Sequence, residues 1–430
     1  MTSKERKYWN VESETIPLEK LRKLQEEKLR ELVNWAYKRT AFYRRKFDEA
    51  GMKPSDINTL DDLKKLPLTE ELELRHAPME EKLAVPLGEI KNVCSTSGTT
   101  ELAEVVPFTQ EDFQVGCVYN MCRCQWSVGL RPSDIVQNLS GFTCLSRINE
   151  TLGAAVIREH VGRGNLDQQI LLAHMMNVTV LEHLPSLVLQ YFDRAGELGI
   201  DIRKSKLRLV IGLGEGWAES YRKKVETEYG ILFRSLYGLV QAGELACECE
   251  YGDGMHYNAD TCLIEVIDPE TKEVLEPGEE GELVVTNFFR KAVPRIRYRT
   301  GDIAKIIPYK PCPCGRTFPK LSPIKGKLAF LINVRGGEFF PIDVEEVIGS
   351  IPELGREYQI ILDKPQEQER LKVKVEYKPE VKELAALRSR VENELRRSLG
   401  VKSEVELAPT GSLGRALFKA QRLITTYNKT

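Results

Sequence analysis

The stretch CSTSGTTELAEVV, Cys94 to Val106, is the one on which the reading of this chain turns. Ser95, Thr96, Ser97, Gly98, Thr99 and Thr100 are all small or hydroxyl-bearing. Such a run offers no apolar face to a core helix or strand. Gly98 permits a tight backbone path, and successive backbone N–H groups there can form an anion-binding nest. A phosphate suits such a nest. The loop is not a Walker A sequence, because G-x-x-x-x-G-K-[ST] is absent and the acidic Glu101 follows. Taken alone, a Ser/Thr-rich run is more often a solvated loop, so its company has to decide.

The chain has 430 residues, enough for two or more domains with one large core. Its 62 basic and 64 acidic residues nearly cancel, which gives no reason to expect a nucleic-acid partner. The start, MTSKERKYWNVESE, has no apolar stretch of the kind a signal peptide needs. No run approaches the roughly 18 apolar residues that cross a bilayer. A cytoplasmic protein is expected. The ten cysteines are then mostly small buried hydrophobes rather than a disulfide framework.

Outward from the loop, residues 17–50 carry apolar positions near a 3.6 period and predict one helix. A short helix capped by Asn58 or Thr59 follows. Between about 90 and 240, strand-like SDIVQNLS and LRLVIGLG alternate with helix-like LDQQILLAHMMN, LPSLVLQYFDRAGELG and AESYRKKVETEYG. That alternation predicts an α/β domain with a largely parallel sheet. From 262 to 306, CLIEVID, GELVVTNF and IAKIIP with turns between them predict antiparallel hairpins. From about residue 330, YQIILD, RLKVKVEYK and an amphipathic helix ending at Gly400 predict a small α+β domain with a βαβ-like unit.

Other motifs travel with the loop. YGLVQAGE (237–244) follows a strand-like run, and YRTGD (298–302) closes another. VRGGEFFPIDVEEVI (334–348) sets a Gly-Gly turn before a helix, and GSLGRALFKAQRL (411–423) comes near the end. In this order the pieces resemble the adenylate-forming acyl-CoA synthetase superfamily, and within it the phenylacetate–CoA ligase branch, over nearly the whole chain. The resemblance implies a large N-terminal adenylation domain, 1–329, and a small mobile C-terminal lid, 330–430. It implies activation of a carboxylic acid by ATP with Mg²⁺, release of pyrophosphate, and transfer of the acyl group to CoA. An aryl or arylacetic acid is the substrate class of the branch.

Residue by residue, the same resemblance makes Ser95, Thr96, Ser97, Gly98, Thr99 and Thr100 the phosphate loop. Tyr237 and Gly238 would lie at the adenine, and Asp302 would hold the ribose hydroxyls. Gly214 and Glu215, in GLGEGW, match the turn beside the adenine and the acid's carboxylate. Lys419 would reach the α-phosphate and carboxylate, where a positioned cation stabilises developing charge. Gly141 and Phe142 would line the acid pocket. Arg335, Gly336 and Gly337 would approach CoA. Three motifs depart from the pattern: Glu101 replaces the glycine and the family's lysine is missing, Gln241 takes the place of a Mg²⁺-holding glutamate, and GKLAF (326–330) puts Lys327 where the hinge has arginine and Ala329 where it has aspartate. Two further readings therefore stay open. One is an adenylating enzyme with a non-CoA acceptor, like the F390 synthetases. The other is a degenerate homologue that binds nucleotide or acyl-CoA.

CECEYGDGMH and KPCPCGRT supply Cys249, His256, Cys312 and Cys314, with Cys247 as a spare. Two short thiol clusters far apart in sequence can close one tetrahedral zinc site, and four protein ligands would make the zinc structural. MCRCQW (121–126) reads instead as core helix. The expected partners are small molecules only, the acid, ATP and CoA, and a homodimer is compatible with the sequence.

Overall fold

The computed structural model describes residues 6–96, 104–142, 144–157, 166–414 and 422–427. The chain divides into two compact units, Met1–Asn138 with Phe142–Arg158 and Arg234–Ile324, and Leu139–Gly141 with Glu159–Phe233 and Lys325–Thr430.

In the first unit the predicted helix over 17–50 is two helices, α1 (Leu18–Arg39) and α2 (Ala41–Glu49). Thr40 breaks it, with an extended backbone at φ −121° and ψ 133°. Its hydroxyl donates to the Ala36 carbonyl at 2.8 Å and accepts from the Tyr43 N–H at 3.2 Å. A hydroxyl that satisfies backbone groups on both sides competes with a continuous helix. The apolar stripe runs on regardless: Leu29, Leu32, Val33, Phe42, Tyr43 and Phe47 share one core with Ile296 and Tyr298. Thr59 caps the short 3₁₀ turn Leu60–Lys65, with Asp62 accepting from its backbone N–H at 2.9 Å.

Strands β1 (Ile90–Ser95) and β2 (Val105–Thr109) form an antiparallel hairpin in which Ser95 faces Val105. The core helix expected at 121–126 begins earlier, at Gln110, passes through a π-helical turn at Gln114–Tyr119 and continues as α3 (Asn120–Ser127). A Cβ on Gly116, in the π turn, would meet the Phe289 ring at 2.5 Å. β3 (Ile135–Asn138) and β4 (Ala155–Ile157) are parallel and flank α4 (Cys144–Thr151).

The other strands of this unit are antiparallel. β7 (Leu232–Leu239) pairs with β8 (Gly243–Cys247), which pairs with β9 (Met255–Tyr257). β10 (Cys262–Ile267), β11 (Gly281–Asn287) and β12 (Arg295–Ala304) make the predicted meander. β13 (Ile306–Ile307) pairs with β14 (Lys320–Leu321), which joins β9.

In the second unit β5 (Val180–His183) and β6 (Leu209–Gly212) are parallel, as the alternation predicts. Helix α5 (Leu166–Met175) precedes β5, α6 (Pro185–Glu197) connects β5 to β6, and α7 (Glu219–Tyr229) follows β6. Past the short strand β15 (Gly326–Lys327), β16 (Ile332–Val334) and β17 (Gly337–Phe339) form a hairpin that leads into α8 (Pro341–Gly349). β18 (Leu354–Leu362), β19 (Leu371–Tyr377), β20 (Ser403–Pro409) and β21 (Leu423–Thr425) form one sheet in the order 20-19-18-21. α9 (Leu384–Leu399) connects the parallel pair β19 and β20, the expected βαβ-like unit, and Gly400 ends it at φ +74°. Val344, Ile348, Leu387, Val391 and Leu395 pack with Val373 and Val375 beneath it.

α7 and α8 meet inside this unit. The Ser220 N–H donates to Glu346 Oε2 at 2.9 Å, and Arg356 pairs with Asp193 at 2.5 Å. Glu345 is buried beside them. Burial, opposed by Arg422 and reinforced by Glu215, pushes its carboxyl up to about 7. A folded-state value above the unfolded one favours the neutral form. Stability from this group is therefore complete below the unfolded carboxylate range and is lost as pH rises through 7. Glu345→Gln is expected to be more stable than the parent by about 1–3 kcal/mol near pH 8 and nearly equal near pH 5. Thermal or urea unfolding across that range measures it, and a pH-independent difference contradicts it.

Candidate functional site

The hairpin β1–β2 is the mount of the hydroxyl-rich loop. Its neck is tied twice: the Thr96 N–H donates to the Glu104 carbonyl at 3.1 Å, and the Glu104 N–H donates to Thr96 Oγ1 at 2.9 Å. Ser95 ends β1. Ser97, Gly98, Thr99 and Thr100, with Glu101, lie outside the described residues. Sequence reasoning weighed Glu101 and passed over Glu104. The Glu104 carboxylate accepts from Arg295 Nη2 at 2.6 Å, and both side chains are sealed from solvent. The two residues are 191 positions apart, so no local spacing could have announced the pair. It fastens the hairpin to β12.

Two motifs meet at Tyr237. Its hydroxyl donates to Asp302 Oδ2 at 2.8 Å, and both residues are buried. Burial, and after it the Asp302 carboxylate, pushes the phenol well above its usual range, so Tyr237 stays a donor. The Asp302 N–H in turn donates to Thr300 Oγ1 at 3.0 Å, and Thr300 donates to the Leu283 carbonyl at 2.8 Å. The carboxylate is thus aimed from both ends, by its own turn and by the tyrosine. Gln241 sits in the tight turn between β7 and β8, where the Ala242 N–H closes on the Leu239 carbonyl at 3.1 Å. Asn287 Nδ2 holds the Ala242 carbonyl at 3.1 Å. Gly238 faces Glu244 across the strand pair.

In the second unit Gly214 has φ +87°, a left-handed conformation that favours glycine. That turn swings Glu215 back to accept from the Ser186 N–H at 2.7 Å, at the start of α6. A carboxylate there satisfies an orphan donor at the helix N-terminus. Lys327 lies in β15. Arg335 and Gly336, the latter at φ +106°, form the turn between β16 and β17, and Gly337 opens β17. A Cβ on Gly337 would stand 3.4 Å from the Leu399 carbonyl oxygen, so this turn rests against the end of α9. Gly141 has φ +81°, and the Phe142 carbonyl accepts from Asn138 Nδ2 at 2.9 Å. Lys419 lies outside the described residues.

The four residues named for a metal come together. The ligand atoms of Cys249, His256, Cys312 and Cys314 all lie within 4.8 Å of one another, and all four residues are buried. Cys249 Sγ stands 3.9 Å from Cys312 Sγ, and Cys314 Sγ stands 3.4 Å from His256 Nε2. Zinc bonds of about 2.3 Å to sulfur and 2.0 Å to nitrogen in a tetrahedron require separations of about 3.8 and 3.5 Å. His256 Nδ1 meets the Phe318 carbonyl at 2.7 Å, which leaves Nε2 to point a lone pair at the thiols. The Arg316 N–H donates to Cys314 Sγ at 3.4 Å. Cys247, the spare, is buried but does not join the group.

Known proteins are similar to this chain over most of its length. Residues 336–426 match the family model of the AMP-binding enzyme C-terminal domain. The phenylacetate-coenzyme A ligase of Thermus thermophilus is 33% identical over 435 residues, covering 95% of this chain and 97% of that protein. The phenylacetate-coenzyme A ligase of Escherichia coli K12 is 30% identical, covering 96% and 97%. The chain belongs to this phenylacetate–CoA ligase family of adenylate-forming enzymes. A solved structure of 2-hydroxyisobutyryl-CoA ligase in the postadenylation state, in complex with R3-HIB-AMP, superposes with a TM-score of 0.90 at 25% identity, covering 98% of this chain and 93% of that one.

The pair beneath the loop gives a direct test. Glu104→Leu leaves the Arg295 guanidinium buried and uncompensated, which should cost about 3–5 kcal/mol. Adding Arg295→Met should recover most of that loss in urea unfolding. Additive losses in the double variant would contradict the pairing.

Proposed function

We propose that this protein is an ATP-dependent acid–CoA ligase that forms an acyl-adenylate, releases pyrophosphate and passes the acyl group to CoA with release of AMP. The observation that carries the reading is the buried Tyr237–Asp302 hydrogen bond, set in a chain of this family from end to end. An aspartate held at both ends presents its carboxylate to a ribose without reorganising. Tyr237 closes the adenine side. The loop after Ser95 receives the β- and γ-phosphates, Gly214 and Glu215 flank the adenylate, and Lys327 supports the nucleotide from the hinge. Lys419 reaches the α-phosphate and the acid's carboxylate, and neutralises the charge that builds as carboxylate oxygen attacks phosphorus. In the second step the lid, residues 330–430, rotates and brings Arg335, Gly336 and Gly337 to CoA, a hinge motion of a known kind. The acid is aryl or arylacetic, the class named in the curated relatives, and Gly141 and Phe142 line its pocket.

Mg²⁺ enters with the nucleotide. Gln241 offers a neutral amide, and among the described residues no acidic cluster gathers at this turn. Substrate phosphates and water complete the coordination of such an ion. Zinc suits the thiol–imidazole group, and with four protein ligands it serves as a staple between the β8–β9 turn and the Cys312–Cys314 turn. A cytoplasmic setting agrees with ten cysteines that are all free and with the absence, among the described residues, of a helix long and apolar enough to cross a membrane.

Pyrophosphate–ATP exchange driven by a panel of aryl acids is expected in the parent and is expected to fall by at least about a hundredfold in Lys419→Ala. Exchange that ignores the acid contradicts the reading. Tyr237→Phe is expected to raise the KM for ATP about fivefold to thirtyfold, the loss of one hydrogen bond to a charged group. The purified protein is expected to carry one zinc per chain, and Cys314→Ser to lose it and melt at lower temperature. Metal-free protein of unchanged melting temperature would remove the staple.

A further inference from the structure

The strand after the Tyr237 turn opens with Gly243 and Glu244. Glu244 pairs across with Gly238, and a Cβ built on Gly238 would stand 2.6 Å from Glu244 Oε2. The carboxyl therefore lies over the open face of the glycine. Its backbone is fixed, with the carbonyl accepting from Asn120 Nδ2 at 3.3 Å and from Asn258 Nδ2 at 3.0 Å. Gly243 holds φ +75°, and a Cβ there would come within 3.0 Å of the Gly116 carbonyl oxygen, so the π-helical turn presses on this strand. The Glu244 side chain is largely withdrawn from solvent. The residue is 7% exposed, and its Oε1 is buried with no hydrogen-bond partner. Burial, and after it the Cys247 sulfur, pushes the group well above the usual carboxylate range, which favours its uncharged form. A buried polar group left unpaired destabilises the fold, a cost that a bound partner would remove.

The surroundings point to the partner. The part-buried Cys117 thiol lies within electrostatic reach of Cys144, Arg290, Cys94 and Glu244. Cys94 precedes Ser95 in β1, and Cys144 stands two residues beyond Phe142, the residue assigned above to the acid. Cys117 thus feels both Glu244 and Cys144, and the groups around it are mostly thiols, which are poor partners for a hard cation.

We propose that Glu244 reads a hydroxyl group on the carboxylic acid, and that the substrate is a hydroxylated acid rather than its plain hydrocarbon analogue. This rests on the ligase reading above. An uncharged carboxyl both donates to and accepts from a hydroxyl, whereas a hydrocarbon acid would leave it unpaired.

The test uses matched acids: phenylacetate against 3- and 4-hydroxyphenylacetate, and isobutyrate against 2-hydroxyisobutyrate. Each is measured by calorimetric binding to the full-length protein and by pyrophosphate exchange, with Mg²⁺ titrated. A hydroxylated member is expected to exceed its partner by at least about tenfold in affinity and in kcat/KM. Glu244→Leu is expected to bring that ratio to about one, and Glu244→Gln to keep part of it. Discrimination in binding without exchange would uphold the pocket and overturn the ligase reading. Equal use of every pair by the parent would overturn the pocket alone. So would a ratio unchanged in Glu244→Leu, or a raised Mg²⁺ requirement in its place. Loss of folding in Glu244→Leu, read by its melting curve, passes the decision to Glu244→Gln and the parent's own ratio.

Discussion

A single buried hydrogen bond, from the Tyr237 hydroxyl to Asp302, sets the geometry around which the first unit is arranged. Its partners lie on two different sheets of that unit, one at the end of β7 and the other within β12. With both groups taken from water, the bond fixes where the carboxylate points, and breaking it would leave a buried charge short of a donor. The supports follow from that demand. Thr300 holds the Asp302 N–H, Asn287 pins the turn after Leu239, and the two glycines Gly116 and Gly243 let backbone press on backbone beside it. The Glu104–Arg295 pair fastens the neck of the β1–β2 hairpin to β12.

The sequence made the periodic parts legible. The amphipathic α9, the parallel pair β5–β6 and the β10–β11–β12 meander all announce themselves by apolar spacing, because burial on one face demands it. The four-residue thiol–imidazole group was legible too, since two short thiol clusters with a histidine lie in loop-like, Gly- and Pro-bearing stretches rather than in a helical repeat. Thr40 was not legible, because a threonine inside an apolar stripe fits a helix until its hydroxyl is seen to bond on both sides. Glu104 and Arg295 were not, because an ion pair across so much chain leaves no local pattern. Tyr237 was expected as a stacking ring beside adenine, while its most definite contact is made by its hydroxyl.

The two units are held by different means. The first is cross-linked by long-range polar contacts, and it gathers the four-residue thiol–imidazole group from two turns far apart in sequence. The second depends more on a continuous aliphatic core beneath β18 and β19. Its buried Glu345, near-neutral in its titration, sits where α8 approaches α7 and the Glu215 turn. A carboxyl that resists charging at such a contact makes the contact's strength depend on pH, while the sealed pairs of the first unit keep its geometry constant.

The central claim is that the acid is joined to AMP before it meets CoA. The most direct measurement supplies heavy-oxygen-labelled carboxylate with ATP and CoA and analyses the released nucleotide by mass spectrometry. The account predicts AMP carrying one labelled oxygen, because thiolate attack breaks the bond between the acyl carbon and that oxygen and leaves it on phosphorus. Unlabelled AMP, or label appearing instead in inorganic phosphate beside ADP, would contradict it.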